Sequence, residues 1–298
     1  MKIEQVNKYQ YIIDGEWYDL RSDAKYIYEC LDKQKSETEV KVEVEEEIEV
    51  EEEIEEENFE YEGWRVPMPT EKSVITDKKM DYELLGAITL ISNRKTRYAI
   101  EDLLEEEEEE HRYIYEKGDN SILSNKEFLE KATGNQMVTI KRNLRKLASC
   151  NNEVVSYCED EHGKYYKIMP YVFADNGNLQ YVKIDSRILK FLIDTSSSNG
   201  IKVYCTLLWI LWDKEKECYV KKQLTRDWLC KQIGLSEKSK NNLETIGNIL
   251  YTFEKVGLIA RDKETITVEQ KGQNSIVKTV YCYTLCTVEE FLTKRKGE

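Results

Sequence analysis

A helical stripe of apolar residues occurs twice along the chain. The first stripe lies in residues 135–147 (NQMVTIKRNLRKL) and consists of Ile140, Leu144 and Leu147. The second lies in residues 244–259 (ETIGNILYTFEKVGLI) and consists of Ile246, Leu250 and Phe253. Spacings of three and four residues place apolar side chains on one face of a helix. The pattern therefore predicts two amphipathic helices, each with one buried stripe.

A shorter helical pattern precedes each stripe. These patterns occupy residues 123–134 (LSNKEFLEKATG) and 224–234 (LTRDWLCKQIG), and each ends in a glycine. Ser124 with Glu127 predicts a capping box at the first helix, and Thr225 predicts an N-cap at the second. The terminal glycines suit the left-handed position that follows a helix. The two copies are 106 residues apart, counted from Thr139 to Thr245, which is a domain-sized period.

Each helix pair is preceded by an apolar helix pattern, in residues 81–93 and 200–212, and followed by alternating residues that predict a β-hairpin. Residues 186–194 predict a further short helix with Asp185 at its cap. Near the N-terminus, Asp14-Gly15 between two β-prone arms predicts another hairpin, and a short helix capped by Ser22 or Asp23 follows it.

Charge is distributed unevenly along the chain, which carries a formal net charge of −14. Residues 37–60 contain 14 glutamates and one lysine, and residues 101–110 contain eight acidic residues. The rest of the chain holds 36 acidic and 43 basic residues, a net charge of +7. Blocks of like charge repel one another and stay solvated. We expect a disordered linker and a disordered loop; an alternative is a nucleic-acid mimic that occupies the protein's own basic surface or recruits a basic partner.

The second copy resembles the winged helix-turn-helix signature. The resemblance rests on Leu224-Thr225, Trp228-Leu229, Gly234-Leu235-Ser236, Thr245-Ile246, Leu250, Phe253 and Gly257-Leu258-Ile259. The lead-in from residue 181 to residue 209 is similar to that of plasmid and phage replication initiators of low-GC bacteria. The first copy departs from the signature after its third helix, the second inserts SEKSKN (236–241), and the first hairpin carries Glu159, Asp160 and Glu161 at its tip.

The resemblance implies an α+β fold with two tandem winged helix-turn-helix domains. The expected divisions are a hairpin–helix unit (1–35), a glutamate-rich linker (36–65), a first winged helix (66–178, with the acidic loop 101–110) and a second winged helix (179–298). In such modules the third helix enters the major groove of double-stranded DNA. Two such helices could cover successive major grooves about 34 Å apart.

The candidate DNA-binding residues follow from that placement. Lysine and arginine neutralise phosphates, and amide side chains suit adenine. In the first copy the candidates are Asn135, Gln136, Thr139, Lys141, Arg142, Arg145 and Lys146. In the second copy they are Lys238, Ser239, Lys240, Asn241, Asn242, Thr245 and Asn248, with Lys271 and Gln273 in the hairpin.

Nothing in the sequence suggests catalysis or a cofactor. The sequence contains neither the phosphate-binding loop G-x-x-x-x-G-K-[S/T] nor the dinucleotide-binding motif G-x-G-x-x-G. The two histidines lie near no recognisable nucleophile, and the eight cysteines have no CxxC pair. The cysteines are expected to be small buried residues in a reducing cytosol. The longest apolar run, residues 204–212, is shorter than the roughly 20 residues that span a bilayer. We therefore expect a cytoplasmic, non-membrane protein without enzymatic activity.

Three functions remain open from the sequence. The first is sequence-specific binding of double-stranded DNA by a replication initiator, with the glutamate tract tuning affinity or recruiting replication proteins. The second is transcription regulation through the same contacts. The third is protein–protein interaction, as in the acidic tandem winged-helix subunit of bacterial condensin. A homodimer also stays open as an alternative.

Overall fold

The computed structural model describes residues 3–5, 10–19, 22–31, 64–95, 111–149, 154–169, 180–268 and 276–296. These residues form a mixed structure of helices and sheets, in agreement with the coarse α+β expectation. Every helix in the described ranges is too short or too polar to span a lipid bilayer. The glutamate-rich segment 36–63, the acidic loop 101–110, and Lys271 and Gln273 lie outside the described residues.

The N-terminal unit consists of a three-stranded antiparallel sheet and one helix. Its elements are β1 (Ile3–Gln5), β2 (Gln10–Ile13), β3 (Glu16–Asp19) and α1 (22–31). Asp14 and Gly15 both have positive φ angles, so the predicted tight turn between β2 and β3 is confirmed. The unit has its own small core, formed by Ile13, Ala24, Ile27 and Cys30.

The first repeat contains three helices and a four-stranded sheet. Its elements are α3 (Tyr82–Ile91), β5 (Asn93–Lys95), β6 (His111–Tyr115), α4 (Lys126–Thr133), α5 (Met137–Ala148), β7 (Val155–Asp160) and β8 (Gly163–Ile168). The strand order is β5-β6-β8-β7. The strand before the helix pair thus pairs with the second strand of the hairpin that follows it.

The second repeat has the same order of three helices, and its strand before the helix pair likewise pairs with the second strand of the hairpin that follows. Its elements are α7 (Ser198–Leu211), β10 (Trp212–Asp213), β11 (Cys218–Tyr219), β12 (Lys222–Gln223), α8 (Arg226–Gln232), α9 (Lys240–Lys255), β13 (Ile259–Val268), β14 (Ile276–Leu285) and α10 (Val288–Lys296). Its sheet order is β12-β14-β13, and β10 pairs with β11 separately.

A two-stranded sheet connects the beginnings of the two repeats. Its strands are β4 (Arg65–Pro69) and β9 (Tyr181–Asp185), followed by the helices α2 (Lys72–Ile75) and α6 (Ser186–Thr195), respectively. The expected cap of α6 is confirmed, because the Asp185 carboxylate accepts a hydrogen bond from the Arg187 N–H at 3.0 Å.

The buried side chains of both repeats form one continuous apolar cluster, which extends from Val66 to Phe291. Helix α3 contacts both α6 and α7, so the two repeats pack directly on each other. Lys202 lies at this junction, where its Nζ donates to the Asp77 carbonyl at 3.0 Å and lies 5.3 Å from the centre of the Tyr82 ring. The predicted boundary between residues 178 and 179 stays a prediction.

Three local predictions need correction. The capping box of Ser124 and Glu127 is wrong, because α4 begins after Asn125 and the Ser124 hydroxyl bonds instead with Ser121 in the preceding turn. Helix α9 begins at Lys240, inside the segment that the sequence pattern treats as an insertion. The expectation that the cysteines are buried fails for Cys218, which is exposed on β11.

Candidate nucleic-acid interface

Helix α5 is held in place by its apolar stripe and by the turn before it. Ile140, Leu144 and Leu147 are buried, as the sequence pattern predicts, and Met137 is buried beside them. Gly134 ends α4 in the left-handed conformation and turns the chain into α5. The Glu130 carboxylate accepts a hydrogen bond from the Met137 N–H at 2.7 Å. A carboxylate of the protein itself therefore compensates the partial positive charge at the N-terminal end of α5.

The opposite face of α5 is open to solvent and basic. Arg142, Arg145 and Lys146 are exposed, and Lys141 is half-buried. Together with two smaller residues they line an open surface groove formed by Val138, Lys141, Arg142, Arg145, Lys146 and Ser149. The sequence therefore correctly predicts which face of the helix carries the charge.

The described carboxylates leave this face positive. No ion pair joins Lys141, Arg142 or Arg145 to any acidic residue in the described part of the chain. Arg145 lies near the hairpin β7–β8, where burial raises the pKa of Tyr166 to about 12 and the arginine charge opposes that rise. Lys141, Arg142 and Arg145 are thus available to an external anion.

The first-copy amide and hydroxyl candidates are placed less favourably than expected. Asn135 lies in the turn before α5, and its amide donates to the Thr133 carbonyl at 2.8 Å. Gln136 occupies the N-cap position and is exposed, whereas Thr139 is half-buried. Gln136 is therefore the best placed of the three to reach a ligand.

In the second copy, most polar candidates already have partners within the protein. The Ser239 hydroxyl caps α9 by accepting from the Asn242 N–H, and the Asn242 amide donates to the Ser236 carbonyl at 3.0 Å. The Thr245 hydroxyl donates to the Asn241 carbonyl at 2.9 Å. Lys240 forms an exposed ion pair with Glu244 at 3.8 Å. Lys238 and Asn241 are exposed at the start of the helix.

The N-terminal unit contacts the middle of α9. The Asn248 side-chain amide donates to the Ser22 carbonyl at 2.6 Å. The rings of Tyr28 and Tyr251 lie 6.3 Å apart, centre to centre. Helix α1 therefore covers part of the face of α9 that corresponds to the basic face of α5. This contact joins residues far apart in sequence, and no local pattern indicates it.

The tip of the hairpin β7–β8 is acidic, as the sequence indicates. Glu159 and Glu161 are exposed. Asp160 accepts a hydrogen bond from the Tyr115 hydroxyl at 2.7 Å, which lowers the pKa of the carboxyl group and raises that of Tyr115 to about 12. This tip would repel a phosphate, so the basic face of α5 is the better contact in the first repeat.

Val138 lies beside the basic residues on the open face of α5, and sequence reasoning missed it. Its side chain is 81% exposed on the basic face of α5. An apolar side chain at this place can contact the methyl group of thymine in the major groove. Its helical position could have indicated its exposure, because Val138 is an apolar residue that falls outside the buried stripe.

Within the described residues, no group of three or more histidine, cysteine or acidic side chains is arranged to hold a metal ion. The chain matches no protein-family model, no curated protein and no solved structure. Its candidate function therefore rests on its own geometry and chemistry.

Proposed function

We propose that this protein binds double-stranded DNA sequence-specifically through α5, without catalytic activity, as a plasmid or phage replication initiator. The observation that carries the proposal is the exposed basic face of α5, which includes Arg142, Arg145 and Lys146. The helix follows a tight turn and precedes a hairpin, and the strand before the helix pair joins that hairpin. This order supports the winged-helix interpretation of both repeats, in which the third helix lies in the major groove.

The contacts divide by chemistry. Lys141, Arg142, Arg145 and Lys146 neutralise phosphates and release counterions. Gln136 and Val138, at the start of the helix, face the base edges and read adenine and the thymine methyl group. The N-terminal unit covers the middle of α9, so the second repeat contributes contacts only from the start of this helix, through Lys238 and Asn241.

The proposal is tested by the salt dependence of duplex binding. Five phosphate contacts, four from α5 and one from Lys238, give a slope of about −4.5 for log K against log salt, or a loss of roughly 500-fold between 50 and 200 mM salt. The probe is a fluorescein-labelled duplex of mixed sequence, and the measurement is fluorescence anisotropy. Arg142→Glu with Arg145→Glu should abolish measurable binding, because two attractive charges become repulsive.

A matched control separates the local contact from the change in net charge. Lys25→Glu with Lys216→Glu changes the net charge equally, at two exposed residues that lie outside α5. These residues form ion pairs at the surface, with the exposed Glu29 and the partly exposed Asp213, so their loss should affect stability little. Absence of duplex binding by the wild type at 50 mM salt, or equal loss in both double variants, would refute the proposal.

Selection from a random duplex library tests sequence specificity and the process served. Enrichment of one motif supports base reading by Gln136 and Val138. A motif that recurs as short direct repeats beside the gene supports the replication initiator. A single operator in a promoter supports a transcription regulator that uses the same helix. A library without enrichment would contradict sequence-specific binding.

A second candidate function is a protein-interaction module similar to the acidic subunit of condensin. It is favoured by the exposed Glu159 and Glu161 at the hairpin tip and by the covered middle of α9. This function becomes the leading one if the wild-type protein leaves the duplex unbound at 50 mM salt.

A further inference from the structure

A second surface with nucleic-acid chemistry lies outside both repeat helices. It is an open groove between the sheet β4–β9, the C-terminal end of α7 and the hairpin β10–β11. None of its lining residues belongs to α5 or α9. Ligand binding in this groove can therefore be tested independently of the proposed duplex contact.

Aromatic side chains dominate the groove. Four of them line it: Tyr181, Trp209, Trp212 and Tyr219. Trp209 is 38% exposed, and Trp212 and Tyr219 are each 41% exposed. Tryptophan side chains are usually more buried than this. Trp212 and Tyr219 are opposite each other in the hairpin, and their rings pack edge to face with centres 5.1 Å apart.

The groove is fixed to the body of the protein. Leu208 and Val182 are buried at its base. The Lys222 Nζ donates to the Ile210 carbonyl at 2.6 Å and so satisfies one of the last carbonyls of α7. The aromatic rings are therefore presented on a scaffold and need little ordering when a ligand binds.

The charged residues of the groove are all basic. They are Arg65, Lys183 and Lys214. Arg65 and Tyr219 line the groove together, and the charge of Arg65 opposes the rise that burial causes in the pKa of Tyr219. The Lys183 ammonium lies 6.0 Å from the centre of the Tyr181 ring.

Two carboxylates beside the groove are engaged by basic residues of their own segments. Asp185 forms a two-point contact with Arg187, at 3.0 and 2.9 Å. Asp213 accepts from two backbone N–H groups of the hairpin turn and lies 3.7 Å from the Lys216 ammonium. The residues that line the groove thus combine exposed rings with three positive charges, which favours polyanions over cationic ligands.

We propose that this groove binds a single-stranded oligonucleotide. Bases stack on aromatic side chains whatever their sequence, and lysine and arginine follow the phosphates. Paired bases in a duplex hide their faces, so the groove discriminates against double-stranded DNA. The occupant is single-stranded DNA or RNA, and both present the same stacking faces and backbone charge.

The test uses the full chain with three probes at 50 mM salt: labelled dT20, labelled U20 and a 20-base-pair duplex. The wild type should bind dT20 or U20 and its tryptophan fluorescence should fall. Trp212→Ala with Tyr219→Ala should weaken that binding by roughly 5- to 100-fold, because each stacked base contributes about 1–3 kcal/mol. Comparison of dT20 with U20 identifies the preferred strand.

Two further variants guard against misfolding. Lys183→Glu with Lys214→Glu reverses two exposed charges without altering a ring, and should weaken binding as well. Trp17→Ala removes a tryptophan that is 61% exposed in the N-terminal unit, and should leave binding unchanged. Thermal melting and circular dichroism verify that each variant is folded.

The duplex probe separates this proposal from the proposed function. Arg142→Glu with Arg145→Glu should lose the duplex and retain the single strand, and the groove variants should show the reverse. Failure of the wild type to bind either single strand, or binding that survives both groove variants, would overturn the proposal. Self-association that disappears in the aromatic variant, without oligonucleotide binding, would instead identify a protein interface.

Discussion

Gly134 and Gly234 occupy equivalent turns in the two repeats but have different surroundings. Both have positive φ angles, +63° and +78°. A Cβ added at Gly134 meets nothing within 4 Å. A Cβ added at Gly234 would lie 2.5 Å from the Thr76 carbonyl oxygen and 2.8 Å from the Thr76 Cα. These are backbone atoms at the end of α2, so no side-chain rotation relieves the contact.

The expected loss of stability has two contributions, a conformational cost at positive φ and a steric cost from contact with Thr76. A left-handed conformation costs a non-glycine residue about 1–2 kcal/mol, so Gly134→Ala should destabilise by that amount alone. Gly234→Ala carries the same term and adds a steric cost of about 1–3 kcal/mol, which is typical of an overpacked interior. The second variant should therefore be less stable than the first by about 1–3 kcal/mol.

Urea titrations followed by circular dichroism measure this difference. The dependence of the unfolding free energy on urea concentration should be the same in all variants. Asparagine tolerates the left-handed region better than alanine. Gly134→Asn should consequently be nearly neutral, whereas Gly234→Asn should stay destabilised because it also carries a Cβ. Equal destabilisation of the two alanine variants, or recovery of stability by asparagine at residue 234, would refute the close packing of this turn against α2.

Three further predictions concern the junction, the N-terminal unit and the acidic hairpin tip. Burial lowers the pKa of Lys202 to about 8, so above that pH the unfolded chain binds more protons than the folded one. Between pH 7 and about pH 9.5 the wild type should therefore gain roughly 2 kcal/mol of stability relative to Lys202→Met in urea titrations, and parallel pH profiles would contradict this. Asn248→Asp removes the donor to Ser22 and should speed amide hydrogen exchange in α1 by about fivefold, the equivalent of roughly 1 kcal/mol; Asn241→Asp is the control, and equal exchange in both variants would argue against the contact. Glu161→Lys should raise duplex affinity in anisotropy titrations by roughly two- to fivefold, the scale of an exposed charge pair, whereas an unchanged affinity would place the hairpin tip away from DNA.

The candidate site could be predicted from sequence to the extent that it depends on one helix. The buried stripe of Ile140, Leu144 and Leu147 fixes which face of α5 points outward, and the four basic residues then fall largely on the open side. Asn135 was harder to place, because its distance from the helix start depends on how the turn at Gly134 is built. The winged-helix signature of the second repeat does not indicate that α1 covers part of α9.

The local elements of this protein can be read from short stretches of its sequence. The turn at Asp14-Gly15, the caps at Asp185 and Thr225, and the glycine that ends each first helix depend on residues within a few positions of one another. Their energies are local, so a short window of sequence contains the information. The same holds for the two apolar stripes, since helical periodicity alone decides which residues share a face.

The polar and aromatic faces that stay open to a ligand depend instead on how distant segments pack. Asn248 is occupied because α1, 226 residues earlier in the chain, packs against α9. The aromatic groove exists because Arg65, Tyr181 and Trp209 are brought together from three separate elements. Exposure depends on which distant segments cover a surface, and no local spacing of residues encodes that.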